Sequence, residues 1–142
     1  MAEPDRTLSD AISMHDVEAK GLAILLWASE PDAPHRLGTP FFHAAAAAAM
    51  DLQVEVYFSA RSVLLLKPGV AQHLRASDAH DKTVLDAMRE AVAHGAVLLA
   101  CTDALHANGL TRGELIAECG GHGGAVQFVS RACDPAWRTL VF

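Results

Sequence analysis

Ala96-Val97-Leu98-Leu99-Ala100-Cys101-Thr102-Asp103-Ala104-Leu105-His106 is the stretch on which the fold turns. Its first five residues are apolar, follow Gly95, and read as a buried strand of a parallel sheet. From Thr102 the pattern becomes polar and helix-starting. A strand that hands over directly to a helix puts the junction residue at the C-terminal edge of the sheet, where open α/β proteins place ligands and chemistry. Cys101 is that residue. The unsatisfied N–H groups and positive end of the following helix favour thiolate over thiol there. Cysteine is also among the most buried residue types, so simple packing is the competing reading.

Upstream, the pattern sharpens at Gly21. Leu22–Trp27 reads as a first buried strand, closed by the loop Ser29-Glu30-Pro31-Asp32-Ala33-Pro34. Thr39-Pro40 reads as an N-cap followed by proline at the first helical position. A helix is expected over Phe41–Asp51, carried by six consecutive alanines with the highest helix propensity. Val54–Phe58 is a β-branched and aromatic strand. Ser62–Leu66 is apolar and ambiguous between helix and strand, and Lys67-Pro68-Gly69 breaks it. Asp78 can cap a helix over Ala79–Ala93, in which Val84, Leu85, Met88, Ala91 and Val92 share one face.

Downstream, Thr111-Arg112-Gly113-Glu114 has the spacing of a capping box. The helix it opens is expected over Arg112–Cys119, stopped by Gly120-Gly121, which makes Gly120–Gly124 a joint between two helices. Gly123 or Gly124 to Arg131 is expected to be helical, with a strand through Val126, Phe128 and Val129 as the alternative. Asp134-Pro135 turns the chain, and Arg138–Phe142 is a final strand. Strands alternating with helices mean parallel pairing with right-handed crossovers. The expected fold is a three-layer α/β/α sandwich with a mostly parallel sheet of about five strands, Val97–Ala100 lying inside it. Residues 1–20 are expected to form a polar N-terminal arm, with a turn or two of helix over Asp10–Ala19. The domain proper is expected over residues 21–142.

The 142 residues suit one domain that buries its core without disulfides or metal. Hydrophobic residues make up 51% and the mean hydropathy is +0.20, high for a monomer, which suggests apolar surface covered by partner subunits. The net charge of −6 and the lack of a basic stripe with interleaved aromatics argue against nucleic-acid binding. Met1–Arg6 has no basic segment followed by an apolar one, and no apolar run approaches the length of a bilayer span, so a cytoplasmic protein without membrane contact is expected. Three unpaired cysteines do not form a secreted disulfide framework.

Several chemistries lack their motifs. There is no Gly-x-Gly-x-x-Gly after the first strand, no Walker sequence, no Gly-x-Ser-x-Gly elbow and no Cys-x-x-Cys. Cys101 with His106, and Cys119 with His122, supply four N or S atoms of the kind zinc accepts. Only the second spacing suits such a site, so neither metal nor cofactor is expected. The remaining histidines (His15, His35, His43, His73, His80 and His94) read as solvated. Phe41, Phe42, Trp27 and Trp137 read as core or interface. Cys119 and Cys133 read as packed thiols, with Cys119 as a resolving partner of Cys101 in the alternative.

The helix–strand unit Phe41–Phe58, the block Val97–Leu110, the segment Leu110–Ile116, Gly123-Gly124-Ala125 and the terminal strand together resemble the DsrE/DsrF-like family from about Gly21 to Phe142. In its sulfur-carrier members a cysteine opens this helix and a glycine closes it eight residues later, matching Cys101 and Gly109. The resemblance implies that Cys101 carries a persulfide in a sulfur relay between donor and acceptor proteins. It also implies a homotrimer, or a homohexamer of two trimers. His106, five residues on, is the candidate acid or base. This helix departs from the carriers, with Asp103, His106 and Asn108 where they have small residues and an arginine pair. A second class stays open: a non-catalytic oligomeric binding or assembly module with a structural or redox-sensing Cys101.

Overall fold

A computed structural model describes residues 17–142, so the helical turn expected within 10–19, His15 and most of the expected arm lie outside the described residues. Where the description begins, the chain is already fastened to the sheet. Arg138 donates to the Val17 carbonyl at 3.0 Å, and the Lys20 amide donates to Ala136 at 2.8 Å.

Among the described residues, five strands form one all-parallel sheet: β1 (Gly21–Leu26), β2 (Gln53–Phe58), β3 (Val97–Ala100), β4 (Cys119–His122) and β5 (Trp137–Val141). Their spatial order is β4-β3-β2-β1-β5, which keeps β3 off the edge as expected. The helices are α1 (Gly38–Ala49), α2 (Val84–Ala93), α3 (Thr102–Ala107) and α4 (Ala125–Ala132).

The strand order explains the layers. Steps from β1 to β2, β3 and β4 all move one strand in the same direction, and right-handed connections place their helices on one face. Leu22, Ile24, Leu26, Val54, Val56, Phe58, Leu98 and Ala100 of that face join buried residues of α1, α2 and α3 in the main core. The step from β4 to β5 returns across the whole sheet, so its helix lies on the opposite face. There α4 covers a smaller cluster in which Phe128 packs on Ala23, Tyr57, Leu99 and Trp137. The α/β/α sandwich is therefore unequal, with a thick layer on one side and a single short helix on the other.

Local chemistry set several boundaries differently from expectation. Helix α1 starts at Gly38, so Pro40 occupies its first turn and Leu37, not Thr39, is the cap residue. Phe41, Ala44, Ala47 and Ala48 form its buried stripe, and the Phe41 ring stacks on Phe58 at 6.0 Å. Helix α2 starts at Val84, not Ala79, because Thr83 and Asp86 form a reciprocal capping box that outcompetes Asp78. The Asp86 amide donates to Thr83 Oγ1 at 3.0 Å and the Thr83 amide to Asp86 Oδ2 at 2.9 Å, which holds the Asp86 carboxyl below its ordinary pKa. Ser62–Leu66 resolves into a 3-10 helix over Ala60–Leu66.

The largest correction concerns residues 112–124. The helix expected over Arg112–Cys119 is absent: only Arg112–Glu114 coils, as a 3-10 turn. Thr111 Oγ1 bonds the Glu114 carboxylate side to side at 2.7 Å instead of capping an amide. The Ile116 amide donates to the Leu66 carbonyl at 2.9 Å and pulls the chain straight, and Cys119–His122 follows as strand β4. Leu98 pairs with Cys119 and Leu99 with Gly121, which leaves Gly120 as the extra residue of a bulge. A Cβ on Gly120 would come within 3.0 Å of Val97 Cγ1, so the bulge lies close against β3. The glycine run is thus a strand and a strand-to-helix turn, not a joint between helices.

Candidate functional site

Cys101 occupies the N-cap of α3, one residue past β3, with φ −75° and ψ 120°. Its amide donates to the Phe58 carbonyl at 3.0 Å and its carbonyl accepts from Leu105 at 3.0 Å, so the backbone around the thiol is fixed at both ends. Among the described residues no side chain caps α3, which leaves its first-turn amides without a side-chain acceptor there. Cys101 is half-buried.

Strands β3 and β4 are neighbours whose following helices leave toward opposite faces. A crevice opens at such a point at the C-terminal edge of a parallel sheet. Cys101 from β3 and Gly123-Gly124 from β4 border it, and a cavity of about 400 Å³ lies there. The strand ends contribute Leu25, Tyr57, Ser59 and Cys101 to its wall. The β4–α4 turn and α4 contribute Gly123, Gly124, Ala125, Phe128 and Val129. Gly123 is needed for close approach: a Cβ there would meet Tyr57 Cε1 at 3.0 Å and Leu99 Cδ1 at 3.1 Å.

Beneath α4 a polar cluster joins the helix to the sheet. Arg131 Nε donates to Glu55 Oε1 at 2.6 Å, and Gln127 Nε2 donates to Glu55 Oε2 at 3.0 Å. The Arg131 guanidinium also stacks over the Trp137 ring at 4.2 Å. Tyr57 is 1% exposed and its ring meets Phe128 edge-on at 5.4 Å. Among the described residues its hydroxyl makes no hydrogen bond of ordinary geometry. Burial, reinforced by the neighbouring Glu55 carboxylate, pushes its pKa up to about 12, so Tyr57 is a neutral part of this face.

The expected site residues separate. Cys101 lines the cavity, whereas His106 is exposed on α3 and is not part of the lining. The histidine that topology brings to this edge is His122, paired in register with Ala100 and set with Thr102 and Asp103 in an adjacent open groove. Arg112 reaches back to donate to Thr102 Oγ1 at 3.0 Å. Cys119 pairs with Leu98, three residues before Cys101. At ~3.3 Å per residue and ~4.8 Å between strands, their Cα atoms are about 10 Å or more apart, too far for a disulfide. Cys119 instead lies with its sulfur 3.4 Å from the Gly121 carbonyl, and Cys133 is exposed. Among the described residues, no group of three or more His, Cys, Asp or Glu side chains is placed to hold a metal ion. Nor is any helix among them long and apolar enough to cross a membrane.

The sequence reading missed Tyr57, Phe128 and the Gly123-Gly124 turn as cavity walls. The alternation of Gln53–Phe58 carried a signal for Tyr57, which sits on the face opposite Val54, Val56 and Phe58. The other two depended on recognising β4.

The model of the DsrE/DsrF-like family matches residues 23–142, and the chain belongs to that family. No curated protein matches it.

Proposed function

We propose that the protein is a cytoplasmic sulfur-relay component that carries sulfane sulfur as a persulfide on Cys101 and passes it to an acceptor protein. The observation that carries this reading is the placement of Cys101 at an uncapped helix start on the wall of a cavity at the sheet's C-terminal edge. In loading, the thiolate attacks the outer sulfur of a donor R–S–S–H. A new S–S bond forms as the donor's S–S bond breaks, and the electron pair leaves with R–S⁻. No oxidant is required, because the sulfane sulfur moves as a neutral atom. The charge that develops in this step departs on R–S⁻, and the first-turn amides of α3, which have no side-chain acceptor among the described residues, favour the anionic form of the persulfide left on Cys101. His106 lies outside the lining, so we assign bond-making to Cys101 alone, and His106→Gln is expected to load at the parent rate.

The test is mass measurement after treatment with inorganic polysulfide. A gain of about 32 Da, one sulfur atom, that is removed by reductant and absent from Cys101→Ser supports the reading. An unmodified Cys101 in the folded protein would refute it.

A second reading, a homo-oligomeric assembly module, is favoured by a separate observation. Val126 is 88% exposed and Val129 53% on α4, and Val141 on β5 is 55% exposed. Apolar surface left open over the thin layer suits a trimer or hexamer. The two readings are compatible, and light scattering at micromolar concentration tests the second: a monomer mass would remove it.

A further inference from the structure

We infer that the Cys101 cavity selects sulfur donors built on an uncharged, apolar body, the class of organic hydropersulfides, and disfavours donors whose body is charged. The chemistry rests on the persulfide reading above; the selectivity rests on the cavity wall alone.

Among the described residues, no Asp, Glu, Lys, Arg or His side chain lines the cavity. Its side-chain surface is built mainly from Leu25, Phe128, Val129 and the Tyr57 ring, and the glycine turn adds bare backbone. The two hydroxyls change little. Ser59 donates its proton to the Leu26 carbonyl at 2.7 Å, and Tyr57 stays neutral. The ionic groups behind the wall, Glu55 and Arg131, are spent on one another. Arg112 is bonded to Thr102 and is not part of the lining.

A charged donor body entering such a wall loses hydration and finds no counter-charge, which is costly. An anionic body would also pass Asp103, exposed in the adjoining groove, on a chain of net charge −6. An apolar body gains by the same burial. The cavity's about 400 Å³ falls in the range of sites that hold small organic molecules. The reacting end differs from the body. There Cys101, on the cavity wall, takes the outer sulfur, and the inner sulfur departs with the body as R–S⁻.

Benzyl hydropersulfide and glutathione hydropersulfide test this as donors, each rate divided by that donor's rate with N-acetylcysteine. After that correction the benzyl donor should load Cys101 at least about ten-fold faster, the preference expected from burying one apolar ring. Val129→Lys puts a cation at the rim and, with light scattering showing the parent's oligomeric state, should narrow or reverse the preference. Independently of any transfer, the unreactive benzyl methyl sulfide should bind Cys101→Ser in ligand-observed NMR and lose that binding when Ala125→Trp fills the cavity mouth. Equal corrected rates, or no binding of the sulfide to Cys101→Ser, would overturn the inference while leaving persulfide loading intact. Binding of the sulfide with no loading from either donor would overturn the persulfide reading and uphold the apolar selectivity.

Discussion

The Gly123 amide donates to the Ala100 carbonyl at 3.1 Å, and this bond clamps the end of β4 to the residue before Cys101. It sets the glycine turn against the cavity with no side chain between them. The distance from thiol to cavity wall is therefore governed by a backbone contact and the absence of a Cβ.

Gly123→Ala should disturb both stability and access. The new methyl would press on Tyr57 Cε1, Leu99 Cδ1 and, at 3.3 Å, Gln127 Oε1. A cost of about 1–3 kcal/mol is expected from such overpacking. Denaturant unfolding measures it, and alkylation of Cys101 by an uncharged reagent should slow in parallel. Unchanged alkylation would show that the turn does not set access.

Gly21→Ala should be at least as damaging, far from the thiol. A Cβ on Gly21 would run into the Trp137 indole, which is 4% exposed and stacked with Arg131. A loss of about 1–3 kcal/mol is expected, read as a lower thermal midpoint. Gly21→Ala with parent stability would mean that the indole can move aside.

Tyr57 is the chain's one tyrosine, so tyrosinate absorbance reports it alone. The native midpoint should lie near pH 12, above the ordinary 10.0. The sign follows from the direction. As pH rises, the unfolded chain releases this proton first, so the contribution of Tyr57 to stability is whole below about pH 10 and is withdrawn from there to about 12. Glu55→Gln removes a carboxylate that raises the value, and should lower the midpoint. A native midpoint at the free-tyrosine value would contradict the buried, neutral assignment.

Glu55→Ala should loosen α4 selectively. No residue of α4 is fully buried, and the helix is attached through Phe128 and the Glu55 pairs with Arg131 and Gln127. Leaving these donors unpaired costs about 1–3 kcal/mol. Hydrogen exchange over residues 125–132 should accelerate while the amides of β1 and β2 keep their protection. Uniform acceleration would indicate a global effect instead.

Wherever hydrophobic periodicity is strong, the sequence showed the element. Leu22–Leu26, Val54–Phe58 and Val97–Ala100 carry runs of large side chains, and all three lie in the sheet's interior. Strand β4 was illegible because Cys119-Gly120-Gly121-His122 has no β-branched or large apolar residue. Its pairing comes from lying against Leu98–Ala100 of β3, a tertiary fact. Misreading β4 also hid half of the cavity, since the value of Gly123-Gly124 depends on a strand ending there. Cys101 was legible because its strand and its helix both announce themselves. His106 was attractive only by its nearness in sequence, and α3 turns it into solvent.

The pairing of Gly21 with Trp137 has a consequence for how the molecule is made. Strands β1 to β4 add one beside the next in the order of synthesis, each closing a moderate loop. The side of β1 that receives β5 stays unpaired until Trp137–Val141 has emerged, and then closes with nearly the whole domain as its loop. Docking of β5 should therefore be a late folding step, slowed by chain entropy. Until it occurs the nascent chain offers Gly21–Leu26 as an open template for another strand. Misassembly during synthesis, more than unfolding afterwards, is the vulnerability that this strand order builds in.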